Sequence, residues 1–600
     1  MTGATLDVGV RSRAVPDAGL WWQAALPLLV PCGLLLAGGG VGFLFTLDAA
    51  VAAERLLGLV VDTALALVAM LVLRRVERPV AWLVAASTLA WLGAVWVIAA
   101  SGPDAFRGSL GVALQRVFRP VFGLARVTDS VDVANTRFIV GYNGLADLCL
   151  AAIFCCGAVL MARPRARLAR AALLGAIGVS FVVLVGAGSR GGLTGLAAGV
   201  CMAGLFVWRR RFALIALTAA PLGLIVAAAG MFDKGLEFSS TAGRLTYWGD
   251  LCRLLVEYPL TGTGLGVDTA NRVALQYQIN PDPERVFYAH NTYVQSYLEM
   301  GPLGTLGMLG VPLIALTAAL VARRDGATPA RRALLIAGLG VIGGLTAHGL
   351  TDQVVTTNVG TGLLLLGLAA VLAALRPASL AKLASGVRRA TLAAAGVAAV
   401  AVLVIAATPS GRAQVLLNIG GLQLNQALAL EPQTVSRLAA LAESERTFAL
   451  ALTQDSGHPA VLRDLAGARS AHYDDAGALN ALQQAAGSAR LDAFDMLQIA
   501  RVYRDLGFAE DAYAWAARAY ASWQRPPEDA VMQVYAQSTL AVLDDDRART
   551  LADQAEAAMR ARTFGTAVSL FQQALTFKPA SAYLQDRLGA AQRAVAKYGG

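Results

Sequence analysis

Four short polar clusters interrupt an apolar chain, and their side chains are of the types that grip a diphosphate and move a proton. They are Ser189-Arg190-Gly191-Gly192, Gly243-Arg244, His290-Asn291 with Tyr293 and Gln295 behind it, and Ala347-His348-Gly349 followed by Asp352. A guanidinium is always charged, and its planar fork fits phosphate oxygens two at a time. An imidazole titrates near neutral pH and can accept the proton of an attacking hydroxyl. The chemistry that uses both is attack by an acceptor hydroxyl on an activated carbon, with diphosphate as the leaving group. Singly, each cluster also has a structural reading. Arg190 is a snorkelling anchor at a span end, Arg244 pairs with Asp250 or Glu257 along one helix face, His290 caps a helix, and His348 hydrogen-bonds a neighbouring span. The Gly-rich turn Thr261–Gly266 follows no strand, so it lacks the setting of a phosphate cradle.

The elements that must position these residues are membrane helices. The 600 residues are 56% hydrophobic and 15% charged, with a mean hydropathy of +0.56; soluble domains carry about 25% charged residues. This excludes an ordinary soluble enzyme, a disordered chain and a collagen-like repeat. A bilayer core asks for about 20 apolar residues per helix. Segments of that kind lie at 22–46, 57–73, 80–100, 144–162, 171–189, 192–208, 212–231, 302–322, 332–350, 359–375 and 390–408, about eleven in all. Arginines and lysines fall in every second connection: Arg11 and Arg13, then Arg74, Arg75 and Arg78, then clusters after the fourth, sixth, eighth and tenth segments. The positive-inside rule then makes the N-terminus cytoplasmic and puts residues 412–600 on the opposite side. The expected division is a membrane domain over 1–411, with a long outer loop at 232–301, and a C-terminal domain over 412–600. All four polar clusters fall on the outer face, where intramembrane ionisable groups usually line a cavity.

Cys32, Cys149, Cys155, Cys156 and Cys201 fall inside spans, where cysteine packs as a small apolar residue, and Cys252 lies in the outer loop. No CxxC pair is present, and four histidines without clustering give no zinc site. No metal, cofactor or nucleic-acid partner is expected.

The run from Phe287-Tyr-Ala-His-Asn-Thr-Tyr through Glu299-Met-Gly-Pro-Leu-Gly304 resembles the signature of the O-antigen ligase and polymerase superfamily: an aromatic, His-Asn, then Glu-x-Gly-x-x-Gly as the next span opens. Gly243-Arg-Leu-Thr-Tyr-Trp248 with Tyr258-Pro-Leu-Thr-Gly-Thr-Gly264, and Ser189-Arg190-Gly191, resemble its other two blocks. The resemblance covers roughly residues 20–408. It implies a polytopic glycosyltransferase of the GT-C type that moves a glycan from undecaprenyl diphosphate at the periplasmic face of the bacterial inner membrane, without a metal and with inversion at the anomeric carbon. It further implies that Arg190 and Arg244 hold the diphosphate and that His290 activates the acceptor hydroxyl. Asn291, Tyr293 and His348 support them. Members of the family pass glycan to another lipid-linked unit, to lipid A-core, or to protein Ser or Thr. A transporter or flippase is the reading from another class, but transporters carry polar residues at broken midplane helices, whereas these gather at one face.

Residues 412–600 are nearly balanced, 18 basic against 20 acidic, leaving a net +12 upstream. Ala500, Tyr503, Gly507, Ala512 and Ala519, and again Phe564, Ala567, Phe571, Ala574 and Pro579, stand at tetratricopeptide-like spacings. An all-helical domain of degenerate repeats is expected, offering a surface for a protein partner. Because ligases of the family end near their last span, the added domain favours polymerase or protein-glycosylating members; the reading is an O-antigen or exopolysaccharide polymerase, with ligase and protein O-oligosaccharyltransferase as alternatives.

Overall fold

The computed structural model describes residues 18–75, 79–100, 142–162, 166–186, 189–207, 241–277, 288–323, 328–352, 358–523, 530–579 and 581–598. They form helices and no strand. The expected span at 212–231 and most of the 101–143 connection lie outside them. The chain divides into two compact units, one comprising 1–41, 50–231 and 289–399, the other 42–49, 232–288 and 400–600.

The first unit is the membrane bundle. Its helices are α1 (Ala18–Leu44), α2 (Ala49–Arg75), α3 (Pro79–Ala100), α4 (Tyr142–Met161), α5 (Arg167–Gly186) and α6 (Arg190–Val207). In the second unit come α7 (Thr241–Glu257) and α8 (Val267–Gln276). The bundle resumes with α9 (Thr292–Ala322), α10 (Pro329–His348), α11 (Asn358–Ala373) and α12 (Pro377–Ala407). Seven described helices are long and apolar enough to cross a bilayer, and Val80–Ala94 and Val359–Ala373 are shorter apolar helices. The chain is an integral membrane protein.

Helix α10 is the axis of this unit. It touches α3, α4, α6, α9 and α11, and every residue from Ala333 to Leu345 is buried. A helix apolar all round belongs in a core. Small residues let its neighbours come close: a Cβ on Gly195 would stand 2.6 Å from the Gly344 carbonyl, and one on Gly338 would stand 2.5 Å from that of Gly367. Lipid gives no hydrophobic drive between helices, so such backbone proximity supplies the packing. The contact sets the N-terminus of α6, with Arg190, against the C-terminus of α10, with His348.

Helix α9 is longer than the apolar run that announces it. It opens ten residues before 302, and Gly301 interrupts it at φ 62°, ψ −162°, just before Pro302. The proline cannot donate to the preceding turn, and glycine accepts the left-handed geometry.

The second unit continues through α13 (Pro409–Leu428), α14 (Val435–Gln454), α15 (Pro459–Ala471), α16 (Asp475–Ala486), α17 (Ala493–Asp505), α18 (Ala509–Trp523), α19 (Ala530–Arg560), α20 (Phe564–Phe577) and α21 (Ala582–Tyr598). Each packs on the next along most of the series. Ala500, Ala512, Ala519, Ala567, Phe571 and Ala574 are all buried, as their spacing requires. The long loop proves to be helical at both ends of its described part: α7 matches the stretch expected at 241–258, whereas α8 carries no apolar run that reveals it. Between them Gly262, Gly264 and Gly266 adopt φ of 69°, 118° and 112°. A Cβ on Gly264 would stand 2.5 Å from the Phe45 carbonyl, and Leu265 donates to the Gly42 carbonyl at 2.8 Å. These glycines serve a backbone-to-backbone contact with the 42–49 segment.

Candidate active site

The site grows from two helix termini. Ser189 caps α6: its Oγ accepts the Gly192 amide at 3.0 Å. Arg190 is the first helical residue and its side chain is exposed. Asn291, not His290, caps α9. Its side chain accepts from the Tyr293 and Val294 amides at 2.9 and 3.1 Å and donates to the Leu350 carbonyl at 3.1 Å. The turn after α10 is tied in as well, since the Thr292 amide donates to the Gly349 carbonyl at 2.7 Å and the Tyr293 hydroxyl to that of Thr346 at 3.1 Å. These bonds hold His290 at φ 48°, a left-handed conformation that non-glycine residues adopt only when their surroundings impose it.

A continuous run of polar groups joins the two histidines. His290 Nδ1 lies 3.6 Å from Asp352 Oδ1. The other Asp352 oxygen accepts from Asn143 Nδ2, and Asn143 Oδ1 accepts from Ser189 Oγ at 2.8 Å. Ser189 Oγ also meets His348 Nε2 at 3.3 Å, and His348 Nδ1 meets Asp147 Oδ1 at 2.6 Å. The protons can be placed by elimination. The Asp352 carboxylate fixes which face of the Asn143 amide donates, so Asn143 Oδ1 takes the single Ser189 proton. His348 Nε2 must then be the donor to Ser189. One further proton sits between His348 Nδ1 and Asp147, and the pair is neutral overall. A buried ion pair needs such compensation, and the C-terminus of α10 favours whatever positive charge the ring carries.

With both nitrogens engaged and no exposed surface, His348 acts on Ser189 and so on the first turn of α6. His290 is different: its side chain is 17% exposed, and its Nδ1 lies beside the Asp352 carboxylate at 3.6 Å, longer than a hydrogen bond.

A second buried chain supports the His290 turn from behind. Ala289 donates its amide to Gln295 Oε1 at 3.0 Å, Gln295 Nε2 donates to Glu299 Oε1 at 2.8 Å, and Glu299 Oε2 lies 3.7 Å from Arg55 Nε on α2. Both ends of that ion pair are buried.

The structure thus brings Arg190, His290, Asn291, Tyr293 and His348 to one group of helix ends. Arg244 stands in the first turns of α7, in the other unit, with its side chain outside the described residues. Glu257, a suggested partner for it, pairs with Arg463 instead. Asn143, Asp147 and Arg55 were not singled out from the sequence. Asp147 is the one carboxylate in α4, and an ionisable group inside a span is the signal that marks it. Among the described residues no group of three or more His, Cys, Asp or Glu side chains is placed to hold a metal.

Residues 175–309, from within α5 to the break in α9 and beyond, match the family described as O-antigen ligase. Over those residues the chain is similar to that family, and the matched segment spans Ser189-Arg190, α7 and the His290 turn. No curated protein matches the chain. The partners of the matched residues come from beyond that segment, since Asn143, Asp147, His348 and Asp352 all lie outside 175–309.

Proposed function

We propose that the protein transfers a glycan from a polyprenyl-diphosphate donor to an acceptor hydroxyl at the periplasmic face of the inner membrane. The observation that carries this reading is the His290–Asp352 pair held in a strained turn beside the capped terminus that bears Arg190. The acceptor oxygen attacks the anomeric carbon and its proton passes to His290 Nε2. The bond from that carbon to the diphosphate oxygen breaks, and the configuration inverts. Asp352 holds the ring and balances the imidazolium as it forms. Charge developing on the leaving diphosphate meets the Arg190 fork, a preorganised countercharge of the kind that usually dominates such catalysis. The resemblance adds Arg244 as a second cation.

The basic connections support a cytoplasmic N-terminus and periplasmic 412–600. Among acceptors, the appended helical unit favours another lipid-linked repeat unit, making the protein an O-antigen or exopolysaccharide polymerase. The glycan profile of a deletion strain tests this. Single-repeat products identify a polymerase, full-length polymer accumulating on the lipid a ligase, and unglycosylated surface proteins the protein-directed activity. An intact profile of all three removes the transferase reading.

A further inference from the structure

Arg463, in the first turns of α15, is 1% exposed and surrounded by three carboxylates. Its Nη2 donates to Glu257 Oε2 at 2.7 Å, its Nη1 to Asp495 Oδ1 at 2.6 Å, and its Nε to Asp464 Oδ1 at 2.8 Å. Every guanidinium nitrogen is committed, and the Phe494 ring lies 5.5 Å from its carbon. Asp464 and Asp495 belong to the C-terminal helices, but Glu257 is the last residue of α7. Removing a buried partner from such a knot costs several kcal/mol, because the remaining charges stay in low dielectric.

The knot is one of several locks on the same stretch. Tyr258 and Tyr277, fully buried, share a hydroxyl–hydroxyl bond of 2.9 Å, and Asn425 Nδ2 donates to Tyr258 at 2.9 Å. Asn418 holds the turn between them through the Leu260 amide at 3.1 Å and the Thr261 hydroxyl at 2.9 Å. Buried groups bound this way fix a unique arrangement only when all are satisfied. Gln498 Nε2 likewise donates to the Tyr277 carbonyl at 3.1 Å, so the buried Arg, Asn and Gln side chains of this surface are spent on a loop of its own chain.

We infer that the C-terminal helical unit is the folding scaffold of the 241–277 segment, with Arg463 the positioning residue that fixes α7 and thereby Arg244. The scaffold stands on the contacts alone; the positioning of Arg244 rests on its reading as a diphosphate ligand.

The test uses the full chain in lipid nanodiscs. In Arg463→Met, amides of 247–277 should exchange about tenfold faster or more, as in local unfolding, while those of α9 and α10 keep wild-type rates. The KM for the lipid-diphosphate donor should rise with kcat changed far less, and Arg463→Lys, which keeps charge without the fork, should fall between. Unchanged exchange over 247–277 in the folded variant overturns the scaffold. If Arg463→Met does not fold, Asn425→Leu, which removes only the Tyr258 lock, is judged by the same exchange criterion. Accelerated exchange with an unaltered donor KM overturns the positioning of Arg244 while leaving the His290 reading to its own variants.

Discussion

At the scale of the residue, His290 and His348 are chemically alike and differ in what they touch. His348 spends both nitrogens inside the protein, whereas the His290 side chain stays partly exposed beside Asp352. His290→Ala should therefore abolish turnover in a purified transfer assay and leave donor binding intact; unchanged turnover removes it as the base. Asp352→Asn should lower kcat by about 10²-fold, the lower end of what a positioned proton acceptor contributes, and a kcat within twofold of wild type would exclude the pair. Arg190→Ala should raise the donor KM with folding preserved. His290 and Arg190 were legible in the sequence because each sits in a recognisable block. Asn143 was not, because a single polar residue in an apolar run has no spacing to read; Asp147 carried only the signal of an ionisable group inside a span, and its meaning comes from the side chain it meets. His348 was legible as polar at a span end, but its full engagement needed the Ser189 and Asp147 contacts.

At the scale of the element, seven described helices match expected spans in length and composition, and what apolar length missed is where a helix runs beyond its apolar segment. Helix α9 begins at Thr292 because Asn291 caps it there, a local bond that hydropathy does not register, and its first turns carry the supports of the His290 turn. The α6–α10 contact makes a sharp claim: Gly195→Leu should push α6 from α10 and destabilise the bundle by about 1–3 kcal/mol or more, as overpacking does. Thermal unfolding in detergent would show it, and an unshifted midpoint would mean the glycine contact is slack. The Arg55–Glu299 pair behaves otherwise. Arg55→Met should cost about 3–5 kcal/mol by stranding Glu299, and adding Glu299→Leu should recover part of that loss. A double variant no better than the single would show that the pair is not what Arg55 serves.

At the scale of the whole molecule, the helical character of 412–600 was legible in the sequence, which suggested an outward-looking role for it. The contacts that say otherwise join residues more than 150 positions apart, as Glu257 and Arg463 do, and no periodicity exposes them. Their chemistry also makes the second unit sensitive to pH. Burial pushes the Glu257 carboxyl up to about 7, against the opposing charge of Arg463 and with Asp464 and Asp495 adding to the rise. Its folded value lies above the ordinary 4.5, so the native state holds the extra proton between those values. The stability this group contributes is complete below the ordinary carboxyl range and disappears as pH rises through about 7. Asp495, also raised by burial, acts in the same sense, and His458, lowered by burial, in the opposite one. Protection of 247–277 should accordingly weaken from about pH 5 to about pH 8, and Glu257→Gln should flatten the difference. Protection that strengthens with pH in the wild type, or an equal slope in the variant, would contradict the sign.

The intramembrane pair of Arg55 and Glu299 has a consequence for biogenesis. Helix α2 leaves the ribosome early, bearing Arg55 in its second turn and Asp62 at its middle, and an insertion machinery charges about 2.5–3.5 kcal/mol for a charged residue at the centre of a span. Asp62 travels with Arg55 on the same helix, but Glu299, the partner of Arg55 at 3.7 Å, is synthesised only when α9 emerges. Nascent chains arrested before Thr292 should leave a cysteine placed beside Arg55 open to water-soluble maleimide, and chains arrested past Ala322 should shield it. Early commitment of α2 to the lipid interior, seen as shielding in both, would mean that the guanidinium finds its neutralising company before α9 exists.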